Sequence, residues 1–302
     1  MDSTAHQDTA AWLALIRAPG VGCQTFNALL AAGQSPRELI EQPNLAADPA
    51  LQRYLHEPDW AGVERDLEWL DGDRNRLMRI DESDYPAQLR TLPNPPSALF
   101  LHGDPALLAL PQLAIVGSRN PSTGGRRTAK AFAAHLAEAG LVISSGLAAG
   151  IDAAAHEGAI HADGLSLAVT GTGLDRVYPA TNRELAHAIA ENGLLISEFP
   201  TGTPPLPSNF PRRNRILAGL ALGTLVVEAA LKSGSLITAR LAAEAGREVF
   251  AIPGSIHNPL SRGCHRLIRD GAKLVETGDH VLEELGPLLG DFNLHLTART
   301  AV

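Results

Sequence analysis

The run Leu113-Ala114-Ile115-Val116-Gly117-Ser118-Arg119, followed after an Ala-rich stretch by Leu141-Val142-Ile143-Ser144-Ser145-Gly146-Leu147-Ala148-Ala149-Gly150, decides the fold. Each half is a short apolar, β-suitable run that stops at glycine and serine. The pattern recurs at Leu165–Val169, Leu194–Ile196, Thr224–Val227 and Val249–Ile252. Ala-rich helical stretches lie between, at Thr128–Ala139, Asp152–His161, Asn182–Glu191, Asn214–Leu220 and Leu236–Ala245. Strand and helix alternating at this spacing predict parallel βαβ units in a doubly wound α/β sheet. The strands read as unbroken apolar runs, as they do when helices cover both faces.

Ligands of such sheets bind beyond the carboxyl ends of the strands. Those ends read Gly117-Ser118-Arg119, Ser144-Ser145-Gly146 through Gly150, Thr170-Gly171-Thr172-Gly173, Ser197-Glu198, Glu228-Ala229-Ala230 and Pro253-Gly254-Ser255. Small residues let a ligand approach the backbone, and their N–H and hydroxyl groups favour anions, so a phosphate-bearing ligand is expected. A dinucleotide site needs G-x-G-x-x-G and a carboxylate after the second strand, where this chain has Ser144-Ser145. The phosphate loop G-x-x-x-x-G-K-[ST] is missing as well.

Asn209-Phe210-Pro211-Arg212-Arg213-Asn214-Arg215 places three guanidiniums, an amide and an aromatic ring in seven residues. Ile216-Leu217-Ala218-Gly219 continues as a helix body, which puts the arginines in the first turn, where cations oppose the helix dipole and a bound anion would compensate. Arginine forks suit phosphate oxygens and Phe210 can stack on a base, as in single-strand binders. With Arg119 emerging at the same sheet edge, the expected phosphate path is Arg119, Arg212, Arg213 and Arg215. The competing reading pairs these arginines with nearby acids and buries Phe210. In Lys232-Ser233-Gly234-Ser235, either serine can cap the helix near Leu236 and leave N–H groups for a phosphate.

The flanks differ from this block. Over residues 111–286 there are 16 Lys/Arg and 16 Asp/Glu, leaving 9 basic and 17 acidic residues outside and a net charge of −8 on 302 residues. A uniformly basic nucleic-acid glove is excluded. Up to about Asp73 the chain reads as helices, with amphipathic spacing over Thr9–Ile16 and Phe26–Ala32. Ala18-Pro19-Gly20-Val21-Gly22 between them fits a helix-hairpin-helix or a plain αα-turn, and the acidic stretch Glu57–Asp73 would repel a nucleic-acid backbone. Pro86, Pro93, Pro95 and Pro96 limit residues 76–104 to short strands, taken as an extension of the sheet. The expected domains are therefore 1–74, helical, and 75–289, extended Rossmann-like and mostly parallel, with a tail at 290–302.

Cys23 and Cys264 are too few for a disulfide framework, there is no signal peptide, and no apolar run is long enough to span a membrane, so a cytoplasmic protein is expected. Asp152 and His156 at i, i+4 could hold a metal, but no third ligand has suitable spacing, and Asp152 reads as an N-cap. Nucleophile elbows, C-x-x-C and H-E-x-x-H are missing. Glu198 and Glu228 at strand ends read as orienting the arginines rather than as an acid–base pair. No cofactor and no turnover are expected.

Val116-Gly117-Ser118-Arg119, Ser145-Gly146-Leu147-Ala148-Ala149-Gly150-Ile151-Asp152 with His156, Gly173-Leu174-Asp175 with Tyr178-Pro179, and Ser197-Glu198 occur in this order. Phe210-Pro211-Arg212-Arg213-Asn214-Arg215, Val227-Glu228-Ala229 with Ser233-Gly234-Ser235-Leu236-Ile237-Thr238-Ala239, and Val249-Phe250-Ala251-Ile252-Pro253-Gly254 follow. The series resembles the DNA-processing protein A (DprA, or Smf) family over about Leu113 to Gly271. The resemblance implies an extended Rossmann fold, sequence-independent single-stranded DNA binding, a homodimer, and delivery of the RecA recombinase onto incoming strands in natural transformation, with single-strand-binding protein displaced. Carried over, Arg119, Phe210, Arg212, Arg213 and Arg215 face DNA, and the loop around Gly146 and Gly150 admits a base. Together with the residues above, the expected DNA site is Gly117, Ser118, Arg119, Ser145, Gly146, Gly150, Asn209, Phe210, Arg212, Arg213, Asn214, Arg215, Lys232, Ser233, Gly234 and Ser235. Two departures stand out: Leu206-Pro207-Ser208-Asn209 lacks the Lys that family members often carry before the Phe, and a C-terminal winged-helix domain is expected to be absent or truncated. The alternative reading is a nucleotide phosphoribohydrolase on a related sheet, from the faint signature Gly223-Thr224 with Glu228; a third is a protein-contact scaffold.

Overall fold

Prolines and capping side chains divide the first hundred residues into short helices, in a computed structural model that describes residues 3–290. They are α1 (Ser3–Arg17), α2 (Cys23–Ala31), α3 (Pro36–Glu41), α4 (Pro49–His56) and α5 (Trp60–Leu70). Ser35 and Glu38 form a reciprocal capping box on α3, and Asp48 and Asp59 accept the first N–H groups of α4 and α5. Their apolar faces meet around Trp12, Leu15, Phe26, Leu39, Leu51 and Leu55, with the Trp12 and Phe26 rings 4.8 Å apart. Strand β1 (Asn75–Arg79), the short α6 (Ala87–Arg90) and strand β2 (Ala98–Gly103) follow. Residues 3–101, 172–176 and 197–204 make one compact unit.

One member of the acidic stretch 57–73 is internal to that unit. Asp66 is fully buried and accepts from Arg17 Nε at 2.6 Å and from the same guanidinium's second nitrogen at 2.8 Å. It also accepts the Thr201 N–H at 2.9 Å and its hydroxyl at 2.7 Å. Asp66 thus fastens residue 201 to the helices rather than adding to a repulsive surface.

The second unit, residues 102–171, 177–196 and 205–290, holds the sheet the sequence predicts. Its elements are β3 (Gln112–Val116), α7 (Thr123–Glu138), β4 (Val142–Ser145), α8 (Ile151–His161), β5 (Ser166–Val169), α9 (Arg183–Asn192) and β6 (Leu194–Ser197). Then come α10 (Asn209–Leu220), β7 (Gly223–Val226), α11 (Ser235–Glu244), β8 (Glu248–Ala251), α12 (Arg262–Arg269), β9 (Lys273–Leu274) and α13 (Gly278–Leu289). The pairs β3–β4, β3–β7, β4–β5, β5–β6, β7–β8 and β8–β9 are all parallel, in the order β6-β5-β4-β3-β7-β8-β9. The fold is the doubly wound, mostly parallel α/β sheet expected, accompanied by a helical N-terminal region. On one face Leu113, Ile115, Ile143, Leu225 and Phe250 pack with Phe132, Leu136 and Ile151. The expected tail lies outside the described residues from 291 on.

The chain steps outward from β3 through β4 and β5 to β6, then returns through α10 to β7 on the other side of β3. The loops after β3 and β7 therefore diverge, and a crevice opens at their carboxyl ends.

Candidate nucleic-acid interface

The crevice is an open cleft of about 640 Å3. Its walls carry ten of the sequence-nominated residues: Gly117, Ser118, Arg119, Phe210, Arg213, Asn214, Lys232, Ser233, Gly234 and Ser235. Arg119 is exposed after β3, and its guanidinium lies over the Phe210 ring, 5.5 Å from the centroid. Phe210 is half-buried and meets Tyr178, ring centroids 5.7 Å apart and planes tilted by 42°. Asn209 fixes the start of α10 by donating from Nδ2 to the Gly171 carbonyl at 3.1 Å. Lys232 is exposed and also lines the cleft, from the loop after β7.

Six nominated residues lie off the cleft lining, and several have internal duties. Ser145 is fully buried and donates to the Ile115 carbonyl at 2.6 Å, and Asn209 is buried by the bond just described. Arg212 is exposed and Arg215 half-buried, both outside the cleft walls. Of the arginines expected in the first helical turn only Arg212 lies there, as the fourth residue; α10 begins at Asn209, since proline is tolerated in a first turn and Pro211 does not delay it, so Arg213 and Arg215 fall in the second turn.

The glycines are not an open floor. A Cβ at Gly146 would come within 2.4 Å of the Arg213 guanidinium and 2.6 Å of the Asp152 carboxylate. Gly150 has φ +86°, and a Cβ there would meet the Ser118 carbonyl at 2.4 Å. Ile151 N–H donates to that same carbonyl at 3.1 Å, tying the β4 loop to the loop that carries Arg119. The room left by these glycines is filled by the protein itself, which corrects the expectation that the Gly146–Gly150 loop admits a base.

Arg213 is corrected too. It lines the base of the cleft but is only 4% exposed, and it donates to the carbonyls of Gly146, at 2.6 Å, and Val169. Asp152 accepts the Gly146 N–H at 3.1 Å and the Ala148 N–H at 3.4 Å, so it holds the preceding loop rather than capping α8. Burial pushes the Asp152 carboxyl up against the opposing pull of Arg213, and pushes the Arg213 guanidinium down to about 10, where it stays charged at neutral pH.

Two further expectations change. Glu228 accepts from Ser122 N at 2.8 Å and Ser122 Oγ at 2.7 Å, supporting the start of α7 rather than orienting arginines. Neither Ser233 nor Ser235 leaves the α11 N-terminus open as a capping residue. The cap position is Gly234; Ser235 N–H donates to Ser233 Oγ, and the Leu236 and Ile237 N–H groups to the carbonyls of Ser233 and Gly234. This end offers a phosphate the Lys232 ammonium and serine hydroxyls.

His156 is fully buried, its Nδ1 2.7 Å from Ser166 Oγ. Among the described residues, no three His, Cys, Asp or Glu side chains cluster as metal ligands would. Burial lowers its pKa to about 3, whereas the unfolded imidazole titrates near 6.5. The neutral form is thus favoured by the fold: its stability contribution is complete above pH 6.5 and is lost as pH falls from there toward 3. Between pH 7.5 and 5.0 the unfolding free energy of this unit is expected to drop by about 2 kcal/mol more in the wild type than in His156→Gln. Urea titrations at the two pH values check this, the glutamine variant separating His156 from Asp152; equal drops would contradict it.

A family model described as DNA recombination-mediator protein A matches residues 76–286, over most of the sheet and the whole cleft, and a DprA-like N-terminal HHH domain model matches residues 6–68. This chain belongs to the DNA recombination-mediator protein A family. Of the two readings of residues 18–22, the second match favours the helix-hairpin-helix. Among curated DprA-family relatives, Protein Smf of Escherichia coli is 47% identical over 258 residues, 85% of this chain and 67% of that protein. DNA processing protein DprA of Streptococcus pneumoniae is 50% identical over 200 residues, 66% of this chain and 71% of that one. The crystal structure of the S. pneumoniae protein superposes with a TM-score of 0.82 at 39% identity, covering 91% of this chain and 97% of that one. DNA processing protein A of Helicobacter pylori, whose structure is described by its single-stranded DNA binding mode, gives 0.63 at 31% identity, covering 72% and 97%. Among the described residues no helix is long and apolar enough to cross a membrane.

Tyr178 is the aromatic cleft residue that sequence reasoning missed. It stood in plain view within Tyr178-Pro179, but an aromatic ring before a proline has no periodicity to mark it as ligand-facing.

Proposed function

We propose that this chain binds single-stranded DNA in the cleft without reading its sequence, and loads RecA onto the strand during natural transformation. Residues 75–289 carry the DNA path, residues 1–74 form a separate helical domain, and the working form is a cytoplasmic homodimer that helps displace single-strand-binding protein. The observation that supports this most is the Arg119 guanidinium over the Phe210 ring at the rim of a cleft whose one lining carboxylate, Asp152, is 7% exposed and faces Arg213. A cation beside an aromatic ring offers one group for the phosphate and another for the base, and every base has a π-face, so the pairing is indifferent to sequence. The relatives' names and the H. pylori structure's description point the same way.

Anisotropy of fluorescein-labelled oligonucleotides tests the reading. Affinity is expected to fall linearly with salt on logarithmic axes, and Arg119→Ala is expected to lessen that slope by roughly 0.7, the share of one phosphate contact on a single strand. Phe210→Ala is expected to weaken binding roughly 5- to 100-fold on mixed sequences alike. Salt-indifferent binding, or an unchanged slope in Arg119→Ala, would reject the cleft as the DNA path. No turnover is proposed; the Ser122 bonds to Glu228 engage the carboxylate that a phosphoribohydrolase reading would need.

A further inference from the structure

We propose that Tyr178 is a base-stacking residue of the cleft, receiving the nucleobase on the ring surface that Phe210 backs. The inference rests on the single-stranded DNA reading and names the residue that meets the base first. Phe210 is half-buried: a Cβ on Gly171 would stand 3.0 Å from its Cδ1, so its ring lies directly on that backbone and presents less surface to a base. Tyr178 is different. It is 46% exposed while lining the cleft, and the other strongly exposed aromatic among the described residues, Trp60, is not part of the lining.

The ring is also held in place before any ligand arrives. Pro179 restricts the backbone of the residue before it, and Asn182 Nδ2 donates to the Leu147 carbonyl at 2.9 Å, pinning the turn that follows. Phe210 supports the ring at 5.7 Å. An aromatic plane with few rotatable bonds on a fixed backbone loses little entropy on stacking. A base on Tyr178 leaves the guanidinium of Arg119 and the ammonium of Lys232 for the backbone phosphates.

The test uses the full chain, Tyr178→Ala and Tyr178→Phe, with two labelled oligonucleotides of equal length: one normal and one in which abasic sites replace the bases. Tyr178→Phe is expected to bind both as the wild type does. Tyr178→Ala is expected to bind the normal strand roughly 5- to 100-fold more weakly, with an unchanged salt slope, and to match the wild type on the abasic strand. An oligonucleotide carrying 2-aminopurine is expected to lose fluorescence on binding the wild type, through stacking, and to keep it with Tyr178→Ala. Tyr178→Ala matching the wild type on the normal strand, or losing affinity equally on both strands, overturns the inference while leaving the DNA path intact if Phe210→Ala and Arg119→Ala still act as expected. Wild-type protein that fails to bind either strand overturns the reading beneath it as well.

Discussion

Replacing Arg213 by alanine is expected to destabilise the α/β unit by about 3–5 kcal/mol, while Arg212→Ala at the adjacent, exposed position stays within about 0.5 kcal/mol. Arg213 is 4% exposed and Asp152 7%, and both are bonded to the backbone of the β4 loop, Asp152 through the Gly146 N–H and Arg213 through the Gly146 carbonyl. Burial alone disfavours both charges; each is tolerated because the other opposes it. Alanine removes one charge, strands Asp152 in the interior and leaves the carbonyls of Gly146 and Val169 without their donor. Far-UV circular dichroism in urea reads the loss. Binding should suffer as well, because Phe210 lies on the same helix, but the salt slope of the variant under folding conditions should match the wild type, since a buried guanidinium displaces no counterion from DNA. Unchanged stability together with a reduced slope would instead make Arg213 a direct phosphate contact.

The arginines mark where the sequence is legible and where it is not. The strands of the α/β unit were readable to within a residue or two because buried parallel strands are uninterrupted apolar runs, and their glycine- and serine-rich ends mark the ligand side of the sheet. β9, with two residues, and helices α12 and α13 lacked such a signal. At Arg212-Arg213-Asn214-Arg215 adjacency suggested a common role, whereas helical geometry separates neighbours by about 100°. Arg213 stands at i relative to Ile216, Leu217 and Leu220 at i+3, i+4 and i+7, which is the apolar stripe of α10, and all three are buried. A charged residue on an apolar stripe announces a buried partner, and that signal was available. The partner was not: Asp152 is distant in sequence and is brought to Arg213 only by the sheet. Glu228 shows the same limit, since its bond to Ser122 depends on β3 and β7 being neighbours. Packing glycines such as Gly146 and Gly150 resemble ligand-floor glycines in sequence, and only coordinates tell which atoms fill the space.

Asp66 obeys the same rule in the helical unit, and its removal is expected to have a comparable effect there. Val63 and Leu70 flank it at i−3 and i+4 on α5, and the Asp66 side chain is fully buried beside an Arg17 side chain that is 10% exposed. One carboxylate accepts two guanidinium bonds and both the N–H and hydroxyl of Thr201, so four donors lose their acceptor together in Asp66→Ala. The expected cost is about 3–5 kcal/mol. Trp12, Trp60 and Trp69 are the chain's three tryptophans and all belong to this unit, so tryptophan fluorescence in urea reports it selectively. Asp66→Asn, which keeps an acceptor but loses the charge, should fall between the wild type and alanine. The double replacement Arg17→Met with Asp66→Leu should recover much of the loss, because the damage in the single variant comes from a largely buried guanidinium left with only the half-exposed Asp59, 3.4 Å away, as counter-charge rather than from a pair that was strongly stabilising. A single alanine variant that unfolds at the wild-type urea midpoint would show that solvent, not Asp66, satisfies Arg17 and Thr201.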